Sequence, residues 1–179
     1  MPKKLPTRRP TRLKNFDYSS AGAYFITICT QDRKHLLSEI EKITVNSSVG
    51  EGLAPPEKTH NSLVKLKPCG CVVEEQLLLL EERYPSVTIT DYVIMPDHIH
   101  AIVVLTKGAG GVSPSPTISD IVCAFKSLTS MNCKQKYGVE RMFQRSFAEH
   151  IIRDKEDFET RRKYIYENPT RWYYKNSSK

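Results

Sequence analysis

The segment Tyr92–Leu105, YVIMPDHIHAIVVL, decides the fold of this 179-residue chain. Two apolar runs rich in β-branched residues flank Pro96-Asp97. Proline presets φ for a turn and cannot donate a hydrogen bond to a strand ladder. The segment therefore predicts two buried strands, Val87–Met95 and His98–Leu105, joined by a tight turn.

The motif His98-Ile99-His100 follows this turn directly. Because successive side chains in a strand point to opposite faces, both imidazoles lie on one face, whereas Ile99, Ala101 and Val103 enter a core on the other. Two imidazoles side by side on a rigid strand can bind one metal ion. Two surface histidines on a hairpin are the alternative interpretation of this motif alone.

The patterns along the rest of the chain predict a strand–helix–strand–strand–helix–strand order. Strands are expected at 23–30 and within 142–153, and helices at 72–84 and 118–136, with Thr117 or Ser119 capping the second and Gly138 ending it. Residues 62–67 suggest a short edge strand. This order favours an α+β fold, a ferredoxin-like split βαβ sandwich with His98–Leu105 inside a central antiparallel sheet and both helices on one face.

Length and composition favour one domain at 16–172, with an irregular insertion at about 44–60 whose role is open. No run of 18 apolar residues or signal-like leader occurs, so we expect no membrane partner. The five cysteines, at 29, 69, 71, 123 and 133, follow no disulfide framework spacing. Free thiols and a cytoplasmic, nucleoid-associated location are the expectation.

The net charge of +7 is concentrated at the two ends of the chain. Residues 1–14 hold six Lys/Arg and no acid, and residues 161–179 hold six with one acid. Such clustering is expected of a polyanion-binding protein, although solubilising tails are an equal alternative. We expect a flexible basic arm at 1–15 and a basic tail at 173–179. The predicted DNA-binding residues are Lys3, Lys4, Arg8, Arg9, Arg12, Arg161 and Arg171.

A third helix is predicted from Asp154 to Glu167, ending at Asn168-Pro169. At about 100° per residue, Tyr164 and Asn168 share one face of this helix with Arg161 beside them, whereas Tyr166 lies on another. Phe158 and Ile165 form the adjoining apolar stripe that attaches the helix to the sheet. Tyr164 and the Asn168 amide would then face the two histidines, with the amide oxygen as a third metal ligand. Half-buried packing is the alternative for the tyrosine.

Three segments together resemble a known family. They are Met95–His100 (MPDHIH), Phe143–His150 (FQRSFAEH) and Tyr164–Pro169 (YIYENP), and they are similar to motifs of the REP-associated tyrosine transposases, of the single-tyrosine HUH superfamily. The resemblance runs from about residue 25 to 172.

The resemblance implies a ferredoxin-like fold and a metal-dependent transposase that nicks and rejoins single-stranded DNA near hairpins. It further implies metal ligands His98, His100 and Asn168, and Tyr164 as the nucleophile that becomes linked to the 5′ phosphate. His150 also matches a family position, and structural hydrogen bonding is its expected use. Mixed nitrogen and oxygen ligands fit several divalent ions; the family favours Mg²⁺ or Mn²⁺.

The sequence is also compatible with two other functional hypotheses. The chain could be a non-catalytic module of the same fold that binds nucleic acid hairpins. It could also be a structural zinc protein that uses Cys69 and Cys71 with the two histidines, although Cys-x-Cys is tighter than the usual spacing. The C-terminal aromatics Trp172, Tyr173 and Tyr174 suit either base stacking or packing. A monomer or a homodimer is expected.

Overall fold

The computed structural model describes residues 21–41, 63–106 and 116–177. Its elements are β1 (Gly22–Cys29), β2 (Ser38–Ile40), β3 (Val64–Leu66), α1 (Pro68–Arg83), β4 (Val87–Ile94), β5 (His98–Leu105), α2 (Ile118–Tyr137), β6 (Ala148–Ile152) and α3 (Lys155–Ser177). The 1–15 arm and the 44–60 insertion lie outside the described residues, as do Lys3, Lys4, Arg8, Arg9 and Arg12.

Four of the strands form an antiparallel sheet in the order β4-β5-β1-β6. This is the order expected of a split βαβ sandwich, and β5 lies inside the sheet as predicted. β3 pairs instead with β2, a short strand that the sequence did not predict, in a separate two-stranded ribbon. The predicted mixed α/β fold with a central antiparallel sheet is confirmed.

The two faces of the sheet are covered by different helices. On one face, Ile99, Ala101 and Val103 of β5 join the main core with apolar residues of α1 and α2. α2 begins at a capping box between Thr117 and Asp120 and ends at Gly138, whose φ of 69° is a left-handed conformation. The predicted alternation of β5 and the placement of both helices on one face are therefore confirmed.

The other face is covered by α3, which contacts β4, β5 and β2. Ile165 is fully buried against Phe25, Val93, Met95 and Ile102, and Phe158 packs at the margin of this cluster. The stripe that we expected to attach the third helix is therefore the one that does so.

The predicted end of this helix at Asn168-Pro169 is wrong, because α3 continues through Pro169 to Ser177. Proline removes one backbone hydrogen bond and disfavours a helical residue before it, but such local preferences yield to tertiary packing. Here Asn168 is buried and Trp172 packs against the apolar cluster around Ile165, so contacts on both sides of Pro169 favour the continued helix. Most of the expected tail at 173–179 is thus helical, and the helix carries Arg171, Trp172 and Lys175 across the sheet face.

A candidate metal and nucleic-acid site

The turn before the histidines is fixed by hydrogen bonds from its neighbours. The Met95 amide donates to the His98 carbonyl at 2.8 Å. Thr30 donates to the Asp97 carbonyl through its amide at 2.9 Å and its hydroxyl at 3.0 Å. The first residue of β5 therefore has a defined position, which a metal ligand requires.

The two imidazoles lie side by side on the α3 face of β5. Their ring centroids are 4.6 Å apart, and His98 and His100 are 8% and 5% exposed. Nδ1 of His98 is 2.5 Å from a carboxylate oxygen of Asp97, and Nδ1 of His100 is 2.9 Å from the hydroxyl of Thr27. With Nδ1 engaged in this way, each ring presents Nε2 as its ligating nitrogen, the usual arrangement of metal-binding histidines.

Both rings are held in the neutral form, which is the form that binds metals. Burial lowers the pKa of His98, against the opposing effect of Asp97. Burial, together with the neighbouring His98 and Arg33, lowers the pKa of His100 to about 3. Neither imidazole therefore has to lose a proton at neutral pH before it can coordinate a cation.

Tyr164 of α3 contacts one of these histidines, His100. Its ring meets His100 edge-on at 5.2 Å and Phe25 at 6.0 Å, and Phe25 in turn stacks on His100 at 5.1 Å. The tyrosine is 37% exposed, and it lines an open pocket of about 630 Å³. Its ring is thus held by aromatic contacts while solvent and a substrate can reach it.

The pocket brings together the predicted metal ligands, Tyr164 and three cations. Its lining comprises Thr27, Arg33, Asp97, His98, His100, Tyr164, Asn168, Arg171, Trp172, Lys175 and Asn176. Asn168 is 7% exposed and lines the same pocket as the two imidazoles. Two imidazole nitrogens and one amide oxygen fit a divalent cation with open positions.

Tyr166, the other tyrosine of the motif, lies outside this pocket. Its hydroxyl donates to Asp91 of β4 at 2.9 Å, and the Arg162 guanidinium donates to the same carboxylate oxygen at 3.1 Å. Burial and the hydrogen bond to Asp91 raise the pKa of the Tyr166 phenol, against the opposing effect of Arg162. The sequence predicted that Tyr164 and Asn168 share one face of the helix and that Tyr166 lies on another. The structure has this arrangement, since Tyr164 and Asn168 line the pocket and Tyr166 does not.

The predicted DNA-binding arginines differ in their surroundings. Arg171 lines the pocket, where it pairs with Glu167 at 2.6 Å and lies 5.9 Å from the Tyr164 ring centroid. Arg161 lies beside the pocket rather than in its lining, bonded to Asp157 at 3.1 Å. Asp157 also bonds His150 at 2.7 Å, so His150 makes the structural hydrogen bond that was expected of it.

Sequence reasoning missed several residues of the site. Asp97 could have been predicted from the sequence, because it adjoins His98. Metal-bound histidines commonly donate a hydrogen bond from their second ring nitrogen to a carboxylate. Thr27 pairs with His100 only through the register of β1 against β5, which sequence alone does not give. Lys175 and Asn176 were missed because the helix was expected to end at Pro169.

The geometry excludes a structural zinc site formed by Cys69 and Cys71 with the two histidines. Cys69 is buried in the α1 and α2 core on one face of the sheet, whereas His98 and His100 are on the other, and Cys71 is exposed. Within residues 21–41, 63–106 and 116–177, no group of three His, Cys, Asp or Glu side chains is placed to hold a metal.

All five cysteines are free thiols, as predicted. No helix among the described residues is long and apolar enough to span a membrane.

Comparison with known proteins agrees with the resemblance read from the motifs. The family model for IS200-like transposases matches residues 81–168, which include β4, β5, α2, β6 and the part of α3 that carries Tyr164 and Asn168. A Haemophilus influenzae protein with the provisional name REP-associated tyrosine transposase is 27% identical over 164 residues, covering 88% of this chain and 76% of that protein. An uncharacterized protein of the same organism is 28% identical over 180 residues, covering 92% and 89%.

A solved structure has the same fold. A REP-associated tyrosine transposase bound to a REP hairpin superposes with a TM-score of 0.54 at 20% identity, covering 93% of this chain and 74% of that one. Taken together, these matches confirm the resemblance to the REP-associated tyrosine transposases.

Proposed function

We propose that this chain, a relative of the IS200-like and REP-associated tyrosine transposases, nicks single-stranded DNA beside a hairpin and transfers the strand through a phosphotyrosine. A transposase role is supported by these relatives. The finer mechanism rests on one observation: Tyr164 contacts His100 in a pocket that is also lined by His98, Asn168 and cationic side chains.

The substrate is expected to enter with its phosphate toward the cations. Arg33, Arg171 and Lys175 line the pocket and suit the charge of a phosphodiester. Hairpin DNA is the proposed form of substrate, because the related transposase of known structure is bound to a REP hairpin. The remaining basic residues of the chain ends would extend this contact, which predicts a strong dependence on salt.

His98, His100 and Asn168 would hold a divalent cation, Mg²⁺ or Mn²⁺. Such a cation supplies Lewis-acid stabilisation of the charge that develops on the phosphate oxygens. The role of Asp97 and Thr27 is to orient the two imidazoles through Nδ1. The role of Phe25 and His100 is to orient the Tyr164 ring, so that little conformational freedom is lost on reaction.

In the chemical step the Tyr164 oxygen attacks the scissile phosphorus. A phosphorus–oxygen bond to tyrosine forms and the bond to the 3′ oxygen breaks, leaving a 5′-phosphotyrosine and a 3′ hydroxyl. The phenol gives up its proton and the departing 3′ oxygen gains one. Because one phosphodiester linkage replaces another, the bond energy is kept in the phosphotyrosine and the step needs no external energy source. A later 3′ hydroxyl can attack the phosphotyrosine by the reverse route, which transfers the strand.

The test is covalent capture on a denaturing gel. A DNA hairpin with unpaired flanks, labelled on the 5′-phosphate side of the break, is incubated with the full chain and Mn²⁺. We expect a protein–DNA band with the unaltered chain and none with Tyr164→Phe, which removes one oxygen and keeps the ring. Peptide mapping should place the adduct on Tyr164.

The matched control is Tyr166→Phe, which removes the same atom two residues away on another face of α3. This variant should still form the adduct. An adduct on Tyr166, or undiminished adduct in Tyr164→Phe, would refute the assignment. Hairpin binding without any adduct, in Mg²⁺ or Mn²⁺, would favour the non-catalytic hairpin-binding alternative.

A further inference from the structure

A second pocket, of about 480 Å³, adjoins the first at Trp172. The two pockets share Trp172 and Asn176. The walls of the second come from α3, from β2 and the segment that leads into it, from Lys67 just before α1, and from Pro96 in the β4–β5 turn. Its size falls in the range of about 300–1,000 Å³ that is typical of small-molecule pockets.

The Trp172 indole lines both pockets and contacts one histidine from each. His98, in the first pocket, lies 6.0 Å from it at a tilt of 46°, and His35, in the second, lies 5.5 Å from it and nearly edge-on. The residue remains partly exposed. An aromatic ring fixed by its neighbours but still accessible can bind a planar ligand at a low cost in conformational entropy.

The remaining lining of the second pocket is suited to a nucleobase. Ile40, Trp172 and Tyr173 provide apolar and aromatic surface, which matches the faces of a base. Glu39 and Lys67, which form an ion pair at 3.2 Å, provide hydrogen-bonding groups for its edge. Lys67 is further positioned by its bond to the His35 carbonyl at 3.0 Å.

The first pocket beside it is cationic and suits phosphate, so the two adjoining pockets match the alternation of phosphate and base along one strand. We propose that the second pocket binds an unpaired nucleobase next to the scissile phosphate, stacked on Trp172. This inference rests on the proposed function and adds a specificity-determining residue to it. By holding the neighbouring base, Trp172 fixes which phosphate lies beneath Tyr164.

Trp172 is the sole tryptophan of the chain, so its fluorescence reports on this pocket directly. The experiment uses the full chain carrying Tyr164→Phe, in EDTA, so that no DNA is cut. The probe is a fluorescein-labelled DNA hairpin with four unpaired thymidines on each side of the stem. The comparison probe has the same phosphates, with abasic sites in place of those thymidines.

We expect the thymidine flanks to quench Trp172 fluorescence and the abasic flanks not to. In anisotropy titrations, Trp172→Ala should lose roughly 5- to 150-fold in affinity for the thymidine probe, the range expected for one stacked base. Its affinity for the abasic probe should be unchanged. Trp172→Phe should recover part of the loss, and Tyr174→Ala, an exposed aromatic of the same helix outside both pockets, should lose nothing.

Equal quenching and equal affinity for the two probes would overturn the inference and leave the nicking proposal intact. So would a preference for thymidine flanks that survives Trp172→Ala. If neither probe bound, both proposals would fall. Conversely, a preference for thymidine flanks that Trp172→Ala removes, in a protein whose unaltered chain forms no covalent adduct, would support the base pocket and refute nicking.

Discussion

Lowering the pH should lower the free energy of unfolding of the metal-free protein, because His100 becomes protonated in the unfolded chain. A single substitution at His100 can measure this contribution. The pKa of this imidazole is about 3 in the folded chain, because burial disfavours its charged form, against about 6.5 in an unfolded chain. Between these two pH values the unfolded state binds the proton and the folded state does not. The free energy of unfolding therefore falls as pH falls through this window.

The magnitude at pH 5 can be worked from these values. One pKa unit corresponds to 1.36 kcal/mol, and pH 5 lies about 1.5 units below the unfolded pKa, so His100 should cost about 2 kcal/mol relative to pH 8. This figure hardly changes if the folded pKa is 3 or 4, since the folded state stays unprotonated at pH 5 in both cases. Against a typical stability of about 5–15 kcal/mol the loss is measurable.

The assay is urea unfolding in EDTA at pH 8 and at pH 5, for the unaltered chain and for His100→Gln. The substitution lowers stability at both values of pH by removing the ring from Phe25, but glutamine does not titrate. The decrease from pH 8 to pH 5 should therefore be about 2 kcal/mol smaller in the variant. Carboxylates contribute equally to both proteins and cancel. An identical decrease in the two proteins would refute the reasoning.

Three further outcomes follow from the contacts of the site. Asp91→Ala should lower the free energy of unfolding by about 2–3 kcal/mol in urea titrations, because it leaves two donors of α3 without their shared acceptor, one of them a partly solvated arginine. Asp97→Asn should weaken Mn²⁺ binding by about 10- to 100-fold in calorimetry, since it no longer orients His98 as a carboxylate does. The control Asp32→Asn, at an exposed acid outside the pocket lining, should bind Mn²⁺ normally. Lys175→Ala should reduce the salt slope of hairpin binding by about 0.7–0.9, as expected for one phosphate contact, whereas Lys134→Ala, paired with Glu140 at the end of α2, should not.

The parts of the fold that sequence predicted are those fixed by short-range periodicity. The alternation in β5 assigned His98 and His100 to one face and Ile99 and Ala101 to the other, and the sheet has this arrangement. The sequence also predicted, from helical periodicity alone, that Tyr164 and Asn168 share one face of α3. In both cases the geometry of a single element determines the answer, and no knowledge of its neighbours is needed.

The parts that were missed depend on contacts between distant segments. The pairing of Thr27 with His100 follows from strand register, and the β2–β3 ribbon joins residues that the sequence separates by more than twenty positions. The continuation of α3 past Pro169 depends on packing against the sheet. A local rule for proline gave the wrong answer there because tertiary contacts outweigh a preference of a few kcal/mol.

That error bears on how the site is built. With the helix ending at Pro169, Tyr164 and Asn168 would have been the last contributions of α3, and phosphate binding would have depended on the basic residues near the two ends of the chain. With the helix continuing, one rigid element carries the proposed nucleophile, the proposed amide ligand, two cations and the Trp172 indole. Their mutual spacing is then set by helix geometry, and their position relative to His98 and His100 is set by how α3 attaches to the sheet. That attachment uses the smaller of the two apolar clusters together with the bonds of Asp91, so a change at Asp91 should displace the whole set of α3 residues together.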